Sequence, residues 1–509
     1  MTPDTTPTPD AIDPTSRPAA RRGRWIDHWD PDDREFWDGG GRRIARRNLA
    51  LSIFAEHIGF SIWVLWGIVA LNLGNVGIEL SLSETFWLTA LPNLVGAFLR
   101  IPYTFAVPRF GGRAWTTFSA GLLFIPALLL AIVVPSGWLA DRSHDTQLLV
   151  LMACAATAGF GGGNFSSSMA NISYFYPERH KGAALGLNAA GGNLGVAVAQ
   201  LLVPLVIIVG VPAAAVEVTP HEVHLAYAGL MWIPLITIAT LGAWLRMDSL
   251  SQARSDRRSY VAAARQPHAW IVSVLYIGTF GSFIGYSFAL PLVIKSTFPE
   301  FLAGHPFIAT YLAGLGFVGA LIGSIARPLG GWLADRVGGA RVTLGCFVGM
   351  AVATLVAIVG VEQRSFATFF GAYAVIFLLA GAGNGSTYRM IPAIFATLGR
   401  RRGDDEATRL DFKRQAAAVI GIAGAIGAFG GFLIQLAFRQ ASLGASQAVA
   451  AASTPAERVR VAAEHADWST GALWAFLGAY LVMALMTWAF YLRRAPSSRL
   501  VPSVAGASI

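Results

Sequence analysis

R-I-P-Y-T-F-A-V-P-R-F-G-G-R (100–113) and R-P-L-G-G-W-L-A-D-R-V-G-G-A-R (327–341) are two versions of one pattern. Each opens on an arginine set in apolar sequence and reaches R-x-G-G nine residues later, at Arg109 and Arg336. A second pair, G-G-N-F-S-S (162–167) and G-N-G-S-T (383–387), places Asn164 and Asn384 about as far beyond those arginines. Two matching pairs in the same order mark a chain built from two related halves.

The sequence around these repeats is 54% apolar and only 13% charged. A soluble protein of this length needs far more charge to cover its surface. About twelve apolar stretches are long enough to cross ~30 Å of hydrocarbon at ~1.5 Å per residue. They fall at 49–72, 86–107, 115–134, 147–172, 183–210, 225–246, 269–293, 307–332, 342–361, 366–391, 415–438 and 469–492. Cys154 and Cys346 both lie inside apolar runs, which reads as two small buried hydrophobes and not as a disulfide or a thiolate metal site.

The net charge of +9 is placed by topology, so it does not point to nucleic acid. Arg42, Arg43, Arg46 and Arg47 precede the first span, and Arg21, Arg22 and Arg24 lie further upstream. Even-to-odd loops carry Arg109 and Arg113, Arg179 and Lys181, then Arg246, Arg254, Arg257, Arg258 and Arg265. Later even-to-odd loops hold Arg336 and Arg341, then Arg400, Arg401, Arg402, Arg409, Lys413 and Arg414, while 73–85 and 211–224 hold no Lys or Arg. The positive-inside rule puts both termini in the cytoplasm. Segment 439–468 is the least regular loop, since Glu457, Glu464 and Asp467 offset Arg439, Arg458 and Arg460.

The expected organisation is therefore a disordered basic cytoplasmic tail at 1–47, with no apolar signal region, and a six-helix half at 48–246. A cytoplasmic linker at 247–268, a second six-helix half at 269–492 and a short cytoplasmic tail at 493–509 complete it. An all-α membrane protein with twelve spans in two pseudo-symmetric halves has the major facilitator architecture.

Three arginines lie inside these spans: Arg100, Arg327 and Arg389. An uncompensated arginine at the bilayer centre costs at least ~2.5–3.5 kcal/mol, so it should face a cavity or a partner. The spans hold almost no Asp or Glu, with Glu56 the main exception. Arg100 and Arg327 occupy corresponding positions and should meet near the midplane. Two buried cations without matching carboxylates leave the substrate to supply the negative charge; the alternative is a structural pair with a carboxylate. A guanidinium stays protonated and presents a planar fork of donors suited to small planar oxyanions such as nitrate and nitrite. Arg389 lies near the cytoplasmic end of its span and is expected to reach the interface by snorkelling.

G-F-G-G-G-N-F-S-S-S-M-A-N-I-S (159–173), G-L-N-A-A-G-G-N-L-G-V (186–196) and G-I-A-G-A-I-G-A-F-G-G-F (421–432) are too glycine-rich for ordinary helices. In a membrane such residues let backbones approach and slide or rock. Asn164, Asn171 and Asn193 add buried donors to the same helices. Several motifs can be set aside. The first run lacks the G-K-[ST] of a phosphate loop, Asn164-Phe165-Ser166 and Asn171-Ile172-Ser173 lie in or beside the membrane, and His221-Glu222-Val223-His224 misses the zinc-protease spacing. No acid/base or nucleophile set stands out, so neither enzyme chemistry nor a cofactor or metal is expected.

At these residues the chain resembles the nitrate/nitrite porter (NarK) family, from about Trp37 through the twelfth span. The resemblance is carried by A-L-P-N-L-V-G-A-F-L-R-I-P-Y (90–103), G-G-G-N-F-S-S-S-M-A-N-I-S-Y-F-Y-P (161–177) and G-A-A-L-G-L-N-A-A-G-G-N-L-G-V (182–196). In the second half it is carried by L-Y-I-G-T-F-G-S-F-I-G-Y (275–286), A-R-P-L-G-G-W-L-A-D-R-V-G-G-A-R-V-T (326–343) and G-N-G-S-T-Y-R-M-I-P-A-I-F (383–395). It implies that Arg100 and Arg327 clamp the anion and that 186–196 and 421–432 are nitrate-signature helices. Phe165, Tyr276 and Phe280 would pack around the anion, with Asn193 and Gly162 close by. Two departures stand out: Glu56-His57 in a span that is wholly apolar in some members, and Arg389 where the family can have an uncharged polar residue.

The expected mechanism is alternating access around a midplane site, running as nitrate/nitrite antiport in the cell inner membrane by a monomer. With the pocket empty the two arginines repel each other, and a bound anion cancels that repulsion and bridges the halves. Proton-coupled nitrate symport is the alternative, because Glu56 lies ~13 Å along a helix beyond Arg47 and, like His57, is a candidate proton carrier. A non-transporting anion sensor is a third reading, opposed by the short cytoplasmic loops.

Overall fold

The computed structural model describes residues 24–211, 223–253, 257–403, 405–493 and 504. Twelve helices among them are long and apolar enough to cross a membrane. Numbered in order, helices 1–6 are Arg34–Val76, Leu82–Phe110, Gly112–Ile132, His144–Phe175, Glu178–Ile207 and Tyr227–Arg246. Helices 7–12 are Pro267–Thr297, Gly316–Val337, Gly339–Glu362, Phe366–Arg402, Glu406–Ala451 and Thr470–Leu492.

Local sequence sets several helix ends. S-L-S-E at 81–84 forms a capping box: Ser81 Oγ accepts from the Glu84 amide, and the Glu84 carboxylate accepts from the Ser81 amide. Asp405 caps helix 11 by accepting from the Thr408 amide at 2.9 Å. Segment 439–468, read as a loop, is largely helical: helix 11 continues to Ala451, and Pro455–Glu464 forms a further helix capped by Thr454. The alanine-rich A-S-Q-A-V-A-A sequence favours helix once packing has aligned the preceding turns.

Within each half, helix 2 packs along helix 4 and helix 8 along helix 10, as the paired repeats require. Across the halves, helix 2 packs on helix 11 and helix 5 on helix 8. Glycine permits this closeness. A Cβ at Gly192 on helix 5 would stand 2.5 Å from Glu56 Oε1, and one at Gly427 on helix 11 would enter the Tyr276 ring.

The halves touch at both ends. At the end away from Arg109 and Arg336, Lys295 Nζ donates to the Leu71 carbonyl (2.5 Å), and the Ser83 amide to Ser446 Oγ (3.1 Å). At the basic end, Lys413 pairs with Glu178 at 3.0 Å.

The disordered tail expected at 1–47 is corrected for its second part; residues 1–23 lie outside the described residues. β1 (Trp25–Ile26) pairs in parallel with β2 (Ser249–Leu250), directly after helix 6. Asp248, 1% exposed, is held by Arg24 (2.8 Å), Arg47 (2.5 Å) and Asn48 Nδ2 (2.9 Å). Ile26, Trp29 and Trp37 are buried, with Trp29 edge-on to Phe175 and Trp37 to Tyr176. A polar, arginine-rich composition hid the few aromatic side chains that make this segment fold. The linker read at 247–268 likewise holds β2 and a helix at Arg257–Ala264. Of the basic residues read along the chain, Arg21, Arg22 and Arg254 lie outside the described residues, as do His221 and Glu222.

Candidate anion-binding site

Arg100, from helix 2, is completely buried. Its Nε donates to the Gly162 carbonyl of helix 4 (3.0 Å) and its Nη1 to the Gly424 carbonyl of helix 11 (2.7 Å). Arg327, from helix 8, is 5% exposed, and its Nη2 donates to the Tyr276 hydroxyl at 3.4 Å. Among the described residues, neither guanidinium has a carboxylate in ion-pairing contact, and Arg100 Nη2 and Arg327 Nη1 have no hydrogen-bond partner. Two orphaned cationic donors in a buried interior are a donor set that an anion would satisfy.

Aromatic rings from both halves wall this space. The Arg100 guanidinium carbon lies 4.7 Å from the Phe165 ring centre, 4.8 Å from that of Phe280 and 5.4 Å from that of Trp63. The Arg327 carbon lies 5.5 Å from Phe165 and 5.6 Å from Tyr388. Phe165 therefore touches both cations. Helix 7 makes a π-turn at Ile277–Gly281, which follows Tyr276 and carries Phe280. Such a turn adds a residue to one helical turn and re-aims the side chains around it. Tyr276 stacks on Phe280 (5.4 Å) and donates to Asn384 Oδ1 (2.6 Å). Excluding water strengthens each cation's pull on a bound anion.

Of the residues expected here, the structure gathers Arg100, Arg327, Phe165, Tyr276, Phe280 and the Gly162 carbonyl. Asn193 is fully buried with both amide atoms unpaired, so it bonds to neither guanidinium. His57 is tied by Nδ1 to the Gly191 carbonyl (3.0 Å), pinning helix 1 to helix 5. Glu56 Oε2 accepts from Ser168 (2.5 Å) and Asn188 (2.8 Å), within electrostatic reach of both arginines. Arg389 stands apart, roughly half exposed and paired with Asp335 on helix 8.

Sequence reasoning missed Trp63, Tyr388 and the Gly424 carbonyl. Tyr388 and Gly424 lie inside quoted motifs, but nothing in the sequence marks Trp63 among the aromatic residues of its span.

A model of the Major Facilitator Superfamily matches residues 49–435. The chain is 37% identical over 483 residues to the nitrate/nitrite transporter NarU of Escherichia coli (strain K12), covering 92% of this chain and 96% of that one. The chain belongs to the NarK family of the Major Facilitator Superfamily. Another relative of this NarK-family protein is the probable nitrate/nitrite antiporter NarK2 of Thermus thermophilus, 36% identical over 81% of this chain and 88% of that one. The crystal structure of a D-xylose-proton symporter covers 92% of this chain and all of its own at a TM-score of 0.62, with 14% identity, a likeness of fold alone. The protein is thus a multi-pass membrane transporter and not an enzyme.

Proposed function

We propose that this transporter carries nitrate and nitrite across the cell inner membrane by alternating access, as an exchanger, with the anion held between Arg100 and Arg327. One observation carries the reading: two buried guanidinium groups, one from each half, share the Phe165 ring and each keeps an unused donor. A planar monovalent oxyanion supplies the missing charge and accepts both donors, while the aromatic walls leave little room for larger anions. The relatives named for nitrate and nitrite support the same substrates.

The contacts between halves give the cycle its logic. The Lys295–Leu71 contact joins the halves at one end and Lys413–Glu178 at the other, with Arg100 and Arg327 buried between them. By the distribution of basic residues the Lys413 end faces the cytoplasm, as do both termini. An anion between the two arginines lets the halves close without burying like charges against each other, and its loss disfavours the return of the empty carrier.

The test is counterflow with purified protein in liposomes, loaded with nitrite and diluted into nitrate. Nitrate entry that depends on internal nitrite is expected. Absence of flux from folded, reconstituted protein would sink the assignment.

A further inference from the structure

Helix 5 begins without a cap of its own. Only Tyr176 and Pro177 separate it from helix 4, and Pro177, in the N-cap position, makes no side-chain bond to the first turn. The missing acceptor comes from far upstream. Asp32 Oδ1 accepts from the Glu178 amide at 2.9 Å, and the Asp32 carbonyl accepts from Arg179 Nη1 at 3.1 Å. A carboxylate at a helix N-terminus satisfies an orphan amide and lies in the favourable field of the helix dipole. Around it, Trp37 stacks on His180 with ring centres 6.2 Å apart and meets Tyr176 edge-on, while Trp29 meets Phe175. Residues 29–37 thus hold the turn on either side of Pro177.

All of these contacts lie within the first half, and the same segment is fastened after helix 6 by the β1–β2 pair and by Arg24 and Arg47 on Asp248. Glu178 is where this assembly meets the second half. Its carboxylate accepts from Lys181, on the same helix turn, at 2.5 Å and from Lys413 of helix 11 at 3.0 Å. Between that pair and Arg100, the buried Thr104 of helix 2 faces Gly421 of helix 11, where a Cβ would stand 3.4 Å from Thr104 Cγ2.

We infer that Asp32, backed by Trp37, is a positioning residue for the transport cycle: it fixes the first turn of helix 5 so that Glu178 meets Lys413 when the halves come together at that end. This rests on the alternating-access reading and on the cytoplasmic placement of the Lys413 end. An ion pair between exposed long side chains is weak partly because ordering both of them costs entropy. A turn already held by Asp32 and Trp37, with its carboxylate steered by Lys181, leaves mainly Lys413 to be ordered. The pair has to part each time this end opens. Its strength therefore sets the share of carriers closed there, and a segment well away from the pocket biases the cycle through one carboxylate.

The experiment uses the full-length protein carrying Thr104→Cys, with Cys154→Ala and Cys346→Ala, in inverted membrane vesicles. A membrane-impermeant maleimide added outside these vesicles reads how often the cytoplasmic end opens. Asp32→Ala is expected to raise the labelling rate about 2–5-fold, the range open to an exposed ion pair. Asp32→Asn keeps the acceptor oxygen and should label like the parent. Glu178→Gln and Lys413→Gln should each raise labelling as Asp32→Ala does, and adding Asp32→Ala to either should change nothing further. Lys413 does not touch the upstream segment, so the Lys413→Gln pair of measurements decides the matter where a change at the turn harms folding. Unchanged labelling in Asp32→Ala, a failure of Asp32→Asn to restore the parent rate, or an added increase in the Lys413→Gln background would each overturn the inference. Absent nitrate/nitrite counterflow in the wild type would instead strike the transport reading beneath it.

Discussion

Arg100 Nη1 donates to the Gly424 carbonyl across 2.7 Å, so a residue of the proposed anion site also bonds the two halves together. A Cβ at residue 424 would stand 4.0 Å from Arg100 Nη1 and 3.4 Å from the Tyr388 hydroxyl, ordinary contact distances, so it is the backbone carbonyl that makes this bond. Arg100→Lys keeps the charge but cannot reach Gly162, Gly424 and an anion together. Each lost charge-assisted bond is worth roughly 1.5–3 kcal/mol. Nitrate affinity should therefore fall about 10–100-fold, read by nitrate-dependent thermal shift, with counterflow falling in parallel.

Tyr276→Phe removes the hydroxyl that bonds Asn384 Oδ1 and accepts from Arg327. Asn384 Nδ2 is already unpaired, so the whole amide becomes a buried orphan. A stability loss of about 1–3 kcal/mol is expected. Because Arg327 also loses the hydroxyl that holds it, KM for nitrate should rise while the protein still reconstitutes. Unchanged KM would show that Tyr276 serves packing alone.

Arg389→Ala tests the opposite case. Its pair with Asp335 is 57% and 50% exposed at the two side chains, so water and headgroups screen it. Such pairs contribute about 0–1 kcal/mol. Counterflow and melting temperature should stay close to wild type; abolished binding would place Arg389 in the anion path.

Asp248→Ala should be far more damaging, although Asp248 lies well outside the pocket. It leaves Arg24, Arg47 and Asn48 around a buried gap. Asp248 is buried but Arg24 and Arg47 keep 35% and 31% exposure, so the loss is below that of a fully buried pair, about 1–3 kcal/mol. A clearly lowered melting temperature in detergent is expected, with the surviving protein retaining its anion affinity.

The parts of this molecule legible from sequence are those whose cause is periodic or electrostatic. Twelve apolar runs and the arginine asymmetry between loops need only the bilayer's thickness and charge to be read. Arg100 and Arg327 stood out because a cation in hydrocarbon demands a reason, and the structure places both against Phe165. The Glu56 nest was half visible: the carboxyl was obvious, but its donors Ser168 and Asn188 come from other helices and were invisible until those helices were packed. Trp63 and the order in residues 24–47 were missed for the same reason, since both depend on partners distant in sequence. Asn193, placed near the anion by resemblance, is buried with both amide atoms unpaired and makes no bond to either arginine.

The joining of β1 to β2 also constrains the order in which the protein is made. Trp25 and Ser249 are paired, and Arg24 and Arg47 wait for Asp248. Until the ribosome has released the segment after helix 6, the emerging chain carries two arginines with no counter-ion and a strand with no neighbour. The Asp248 fastening is therefore added late in synthesis, and a chain arrested before residue 248 holds six helices joined at that end by contacts such as Trp29 on Phe175 and Trp37 on Tyr176 but without that ion cluster.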